Sequence, residues 1–335
     1  MIEMKQVPFE DKTKPKEAPA PVEKIKKDPK DKSVYRNDIT PTEELLVRME
    51  LPSDYHTTDY TQNFLGEIYD TQRDKYYSQS ARYKYYPKQE DKHLCPGHWQ
   101  GYRWAIQNLT EPGDWVFDPT CGTGTTLVEA YNNGRNSIGV ELEYPQIAYN
   151  NIAAQVERTD VTAKLVQGDA RNTTENLESS GIKRGQLSLI VNGTPYPKLS
   201  GKSSDAPQRG MAKNADGTLN DKTFDYEHPN NIGLTKGSEY WDLVNGMYTQ
   251  GIEFLKPGGY FVTLIKDMIQ NKKPYLLSSM IMDEVLKNNP DMEYYGLYMH
   301  RHIPETLFMR TYPKMYPGVP VPSYQAGVIL RKKLK

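Results

Sequence analysis

Cysteine is nearly absent: Cys95 and Cys121 are the two in 335 residues. They stand far apart and lack metal-ligand spacing, which argues against a disulfide framework and a zinc site. A reducing, cytoplasmic setting is expected, and no metal. A surplus of charge is missing too. With 42 Lys+Arg against 43 Asp+Glu, the formal net charge is -1. Bulk charge therefore announces no nucleic-acid partner, and any such face must be a local patch. No apolar run approaches the ~20 residues of a membrane helix, so no membrane association is expected. The N-terminal residues are polar, without the apolar stretch of a signal peptide. Phenylalanine is scarce at 7, whereas tyrosine reaches 25. Tyrosine suits surfaces that stack on bases, and equally a core with polar handles.

The length accommodates one large α/β domain with additions, or two small domains. Residues 1–35 mix Lys, Glu, Asp and Pro, and read as a disordered tail. Pro15, Pro19, Pro21 and Pro29 forbid a long helix there. Residues 36–92 form a tyrosine-rich extension with a capped helix start at residues 41–47. Within it, residues 76–88 interleave aromatic and basic groups, as a nucleic-acid strand or a packed flap would require.

From residue 93 to 335 the pattern becomes α/β. Strands are expected at 115–117, 137–141, 163–167, 187–191 and 260–265, and later at 293–299 and 325–330. Helices are expected at 99–109, through Ile147, Ile152 and Val156, and at 240–255 and 278–286. A turn is expected at 256–259. Such alternation implies a mostly parallel sheet with helices on both faces, a Rossmann-like arrangement. Residues 198–236 lose all apolar periodicity and read as a long flexible loop.

The most informative stretch is Asp118-Pro119-Thr120-Cys121-Gly122-Thr123-Gly124-Thr125-Thr126. It joins the first strand to a helix. The acid can face a ligand, and the glycines let that ligand approach the backbone. It has no third glycine for a dinucleotide fingerprint and no Gly-Lys-Ser/Thr for a P-loop. Glu141 and Asp169 follow at the next two strand ends, beside Ala170. An open α/β sheet binds its ligand at that edge.

These residues closely resemble the Asp-Pro-Phe-Cys-Gly-Ser-Gly-Thr-Thr signature of S-adenosylmethionine-dependent DNA amino methyltransferases. Thr120 departs from the family's Phe, and Thr123 from its Ser. The phrase from Gly134 through Ser137-Ile138-Gly139-Val140-Glu141 resembles the second family motif, and Gln167-Gly168-Asp169-Ala170 the third. His93 to His98 fall where the remaining cofactor motif lies. The resemblance implies a seven-stranded methyltransferase sheet with an antiparallel hairpin at its edge. It also implies S-adenosylmethionine held by residues 118–125, with the ribose on Glu141 and adenine on Asp169.

The second site is Asn192-Gly193-Thr194-Pro195-Tyr196. There the family carries Asp, Asn or Ser, then Pro-Pro, then an aromatic residue. An exocyclic amine is a weak nucleophile because its lone pair is conjugated with the ring. In the family, a polar side chain and a backbone carbonyl accept its two N–H groups, and the aromatic residue stacks on the flipped base. Aligned on Tyr196, this chain has Gly193 at the acceptor position and Thr194 for the first Pro. Either Asn192 or Thr194 takes the acceptor role, or transfer is impaired. Asp267 borders the target pocket or caps the following helix. Target recognition must come from residues 198–236, the N-terminal extension or residues 300–322. The resemblance implies methyl transfer to cytosine or adenine amines in DNA, in a restriction-modification, phage or orphan setting. An RNA amino methyltransferase and an impaired nucleic-acid-binding protein are the alternatives. Oligomeric state is left open.

Overall fold

A computed structural model describes residues 2–5, 56–57, 99–197, 228–270, 273–301 and 324–334. Its strands in chain order are β1 (Ile2–Lys5), β2 (His56–Thr57), β3 (Trp115–Asp118), β4 (Asn136–Glu141), β5 (Ala163–Gln167) and β6 (Leu187–Asn192). They continue as β7 (Leu255–Ile265), β8 (Met268–Gln270), β9 (Lys273–Tyr275), β10 (Met292–Arg301) and β11 (Tyr324–Lys332). The helices are α1 (Trp99–Leu109), α2 (Thr125–Asn132), α3 (Pro145–Ala153), α4 (Thr173–Ser179), α5 (Gly237–Glu253) and α6 (Leu277–Asn288).

Nine strands make one sheet in the order β1-β5-β4-β3-β6-β7-β11-β10-β2. The inner seven are the expected sheet, and the two short outer strands come from the N-terminal segments. β3 pairs in parallel with β4 and β6, β4 with β5, and β6 with β7. β11 runs antiparallel to both β7 and β10. The result is a Rossmann-like sheet, mixed at the hairpin edge. The chain leaves β3 toward β4 and β5, then returns to β6 on the other side of β3. That reversal opens a crevice between β3 and β6 at the carboxyl edge.

Strand alternation sorts the core into two layers. Phe117, Ile190, Phe261 and Ile265 pack against α5 and α6 through Tyr240, Val244, Tyr248, Ile281 and Val285. Val116, Leu189, Val191, Val262 and Leu264 face α1 through Tyr102, Trp104 and Ile106. Leu127 and Val128 of α2 and Ile152 of α3 cover Leu165. Gly124, at φ +74°, starts α2, and Pro145 opens α3, where its missing N–H costs nothing.

Several expectations are corrected in detail. The helix expected at 240–255 runs from Gly237 to Glu253. The turn at 256–259 is a bulge inside β7: Leu187 pairs with Leu255, but Leu189 pairs with Tyr260. Gly258, at φ +76°, makes that excursion. Val156 lies beyond the end of α3 and is exposed. Helix α4 and the β8–β9 hairpin had no clear signal. The helix start at 41–47, the aromatic and basic stretch at 76–88, and His93 to His98 lie outside the described residues. So do most of residues 1–35, residues 198–227 of the expected loop, and residues 302–322. Among the described residues, no helix is long and apolar enough to cross a membrane.

Gly139 fixes how closely the turn after β3 approaches the sheet. A Cβ there would stand 2.5 Å from Leu127 Cδ1 and 2.8 Å from Cys121 Sγ. Gly139→Ala should therefore lower the unfolding free energy by about 1–3 kcal/mol. The measurement is the urea midpoint at constant m-value.

Candidate active site

The turn after β3 is tied to the strand beside it. The Cys121 N–H donates to the Val140 carbonyl at 2.9 Å, and the Gly124 N–H closes the turn on the Cys121 carbonyl at 2.8 Å. Gly122, at φ +53°, takes a conformation that a side chain disfavours. A Cβ on Gly124 would lie 3.0 Å from Ala148 Cβ, so α3 packs directly on the loop. Asn151 of α3 donates to the Thr123 carbonyl at 2.7 Å. Thr123, Thr125 and Cys121 are buried. Burial pushes the Cys121 thiol well above its ordinary range, with Asp118 and Glu141 adding to the shift. The thiol is therefore a packing group against the sheet, not a nucleophile.

Asp118 is buried and accepts from the Thr120 N–H at 3.0 Å and from the Thr126 hydroxyl. Burial pushes its carboxyl up to about 7, against the pull of those two hydrogen bonds. Glu141 accepts three amide N–H groups: Glu143 at 2.9 Å and Tyr144 at 3.0 Å on Oε1, and Gly122 at 3.0 Å on Oε2. Burial still raises its pKa. A carboxylate offers about four acceptor positions, and three backbone N–H groups leave one of them open, on Oε2.

Asp169 caps the short 3₁₀ turn Ala170–Asn172 by accepting the Arg171 N–H at 2.9 Å. The Arg171 guanidinium also grips it, with Nη2 at 2.6 Å. Partial burial pushes this carboxyl up, but the Arg171 contacts and the Asn230 side chain outweigh it and hold it low. A neighbouring segment closes on the same edge. Asn231 Nδ2 donates to Glu143 Oε1 at 2.7 Å, and the short 3₁₀ turn Ile232–Leu234 follows it. The three acids thus stand at the ends of adjacent strands, with Asp118 and Glu141 above their usual pKa and Asp169 below. This set of acceptors suits a ligand that presents hydroxyls, an amino group and positive charge. It repels phosphate. S-adenosylmethionine fits that description.

The end of β6 differs from the expectation. Asn192 and Thr194 are both buried, and both side chains turn inward to Tyr248 of α5. Asn192 Oδ1 accepts the Tyr248 hydroxyl at 2.9 Å, and Asn192 Nδ2 donates to Thr120 Oγ1 at 3.1 Å. The Thr194 hydroxyl bonds to Tyr248 and to Thr263 Oγ1, the latter at 2.7 Å. Burial pushes the Tyr248 phenol up to about 12, so it stays protonated. Neither candidate for the missing acceptor points its side chain out of this network. Gly193 is half-buried. Tyr196 is 39% exposed, and its hydroxyl accepts the Lys266 N–H at 3.0 Å. The Pro195 carbonyl accepts the Tyr240 hydroxyl at 2.7 Å. Asp267 is buried and accepts the Ser278 N–H in the first turn of α6 at 2.9 Å. Tyr248 was missed, because a buried tyrosine on an amphipathic helix looks like any core residue.

Two outcomes follow. Asn192→Ala should cost about 1–3 kcal/mol, since it leaves Tyr248 short of an acceptor in the interior; chemical denaturation measures it. Asp118 keeps its proton in the folded state up to about pH 7, whereas an unfolded Asp loses it near 3.8. Stability therefore falls as pH rises between those values. Asp118→Asn should flatten that slope in urea midpoints, leaving the contribution of Glu141, which has the same sign. An unchanged slope would place the titration elsewhere.

Residues 5–151 match the sequence model of a family described as DNA methylase. A stretch of 32 residues is 62% identical to the type II methyltransferase M.MthZI of Methanothermobacter thermautotrophicus, covering 10% of this chain and 9% of that protein. Another of 89 residues is 33% identical to the type II methyltransferase M.BglI of Bacillus subtilis, covering 26% of this chain and 24% of that protein. The matched stretches thus span a quarter or less of these relatives. Among solved structures, a geranyl diphosphate C-methyltransferase from Streptomyces coelicolor A3(2) aligns at 13% identity and a TM-score of 0.39, over 70% of this chain and 76% of that one. The fold rests on the strand order above, not on that likeness. The match over residues 5–151 contains the loop 118–125 and Glu141, and there the resemblance to DNA amino methyltransferases is shown.

Proposed function

We propose that this protein transfers a methyl group from S-adenosylmethionine to the exocyclic amine of cytosine or adenine in DNA. One observation carries the reading. The loop that would hold the donor and the loop that would hold the base meet across the β3–β6 crevice, at the 3.1 Å contact between Asn192 Nδ2 and Thr120 Oγ1. The match to DNA methylases and the names of the two partial relatives support DNA as the substrate.

When bound, the cofactor supplies an electrophilic methyl group on a sulfonium. The chain's own residues position what reacts. Residues 118–125 wrap the methionine end, with Asp118 facing its positive charge. Glu141 Oε2 accepts from the ribose, and Asp169 and Ala170 border the adenine. Tyr196, the exposed aromatic side chain at the end of β6, stacks on the flipped base. Its hydroxyl is anchored on the Lys266 amide, which holds the far end of the ring in place. Orientation does most of the remaining work, because the methyl group is already activated.

A second reading has one observation in its favour. Gly193 offers no side chain, and the Asn192 and Thr194 side chains are engaged inside. A chain that binds cofactor and nucleic acid but transfers slowly would look like this.

Calorimetry with S-adenosylmethionine should show binding, lost in Asp118→Ala and Glu141→Ala. Tritium from labelled cofactor should then appear in duplex DNA, and nucleoside analysis should find it on N4 of cytosine or N6 of adenine. Label in RNA alone would move the substrate class. Binding without transfer to any nucleic acid would favour the second reading, and absence of binding would reject both.

A further inference from the structure

Gly193 leaves a gap in the target motif, and helix α1 fills it. A Cβ built on Gly193 would meet the Tyr102 hydroxyl at 2.9 Å, with the Leu264 carbonyl next at 3.5 Å. In an Asp or Asn side chain, Cβ and the terminal oxygen are about 2.4 Å apart by standard bond lengths. The phenol oxygen therefore stands close to where the absent side chain would carry its acceptor. Tyr102 is 5% exposed, and its ring packs in the core layer with Val191 of β6 and Leu264 of β7. Its helix is held to the far strand by the Tyr298 hydroxyl, which donates to the Gly101 carbonyl at 2.9 Å. The tyrosine is thus placed by a rigid element and not by a loop.

We propose that Tyr102 is a catalytic residue, whose hydroxyl accepts one N–H of the target amine in place of the side chain that Gly193 lacks. The assignment rests on the amine methyltransferase reading above. A phenol hydroxyl has one proton to donate and lone pairs with which to accept, so it takes an amine N–H whatever its own proton contacts. Holding that N–H turns the nitrogen lone pair out of conjugation and toward the donor. The amine nitrogen then gains the methyl carbon, the S–C electron pair stays on sulfur, and the methylated nitrogen sheds one proton to water. Tyr102 begins and ends protonated. Glycine at 193 is required by this arrangement, because any larger residue would collide with the phenol.

The experiment is a double-mutant cycle on the full chain, read by thermal unfolding, by calorimetry with S-adenosylmethionine and by tritium transfer to duplex DNA. Tyr102→Phe should leave cofactor affinity near wild type, and lower kcat about tenfold, the scale of one hydrogen bond. Gly193→Ser should lower the melting temperature, because its Cβ enters the space of the phenol oxygen. Combining Gly193→Ser with Tyr102→Phe should restore that stability and raise kcat about tenfold over Tyr102→Phe, since the serine hydroxyl now has room to act as acceptor. Two results would overturn the assignment while leaving the enzyme reading intact: wild-type kcat in Tyr102→Phe, or a double variant no more stable than Gly193→Ser. If the wild-type chain labels no amine, the enzyme reading and the assignment fall together.

Discussion

Tyr248 is the joint on which the site depends. From the buried face of α5 it bonds to Asn192 and Thr194, on either side of Gly193. Asn192 passes the contact to Thr120 in the opposite loop, and Thr194 passes it to Thr263 on β7. The chain Thr120–Asn192–Tyr248–Thr194–Thr263 thus crosses three neighbouring strands in the interior. Buried polar groups are costly unless paired, and a fully paired network allows one arrangement rather than several. Two of the departures from the family motifs, Thr120 and Thr194, lie on this chain. A phenylalanine at 120 would offer Asn192 no acceptor, and a proline at 194 would offer Tyr248 no hydroxyl to donate.

The electrostatics of the carboxyl edge follow from depth. Asp118 and Glu141 sit where water is scarce, so their charged forms are disfavoured despite hydrogen bonds from the backbone. A cation placed there would relieve that cost. Asp169 lies nearer the surface and has Arg171 as a partner, so its charge is already balanced. One edge therefore presents two environments: an uncompensated acidic end at β3 and β4, and a neutralised end at β5. A ligand with a positive centre and a neutral ring would take one orientation in it.

Much of this was legible in the residues. Alternating apolar runs and amphipathic segments gave the sheet, and the glycine turn after Trp115-Val116-Phe117-Asp118 gave the ligand edge. The order Asp118, Glu141, Asp169 assigns one acid to the end of each of three successive strands. Short elements were not legible. The strand Ile2–Lys5 is four residues in a charged segment and is held by pairing with β5. The bulge in β7 depends on which residue of β6 each residue meets, and that register is not written in either strand alone.

The sequence by itself determined the class of fold and the chemistry of the ligand edge, because hydrophobic period and turn residues act over short distances along the chain. Tertiary structure decided which side chains face the reacting space. Asn192 and Thr194 carry suitable atoms, but α5 draws them inward, across more than fifty residues of sequence. Tyr102 carries no motif, yet α1 sets its hydroxyl beside Gly193. Contacts between distant segments are fixed by packing, and packing is settled only when the whole core has formed.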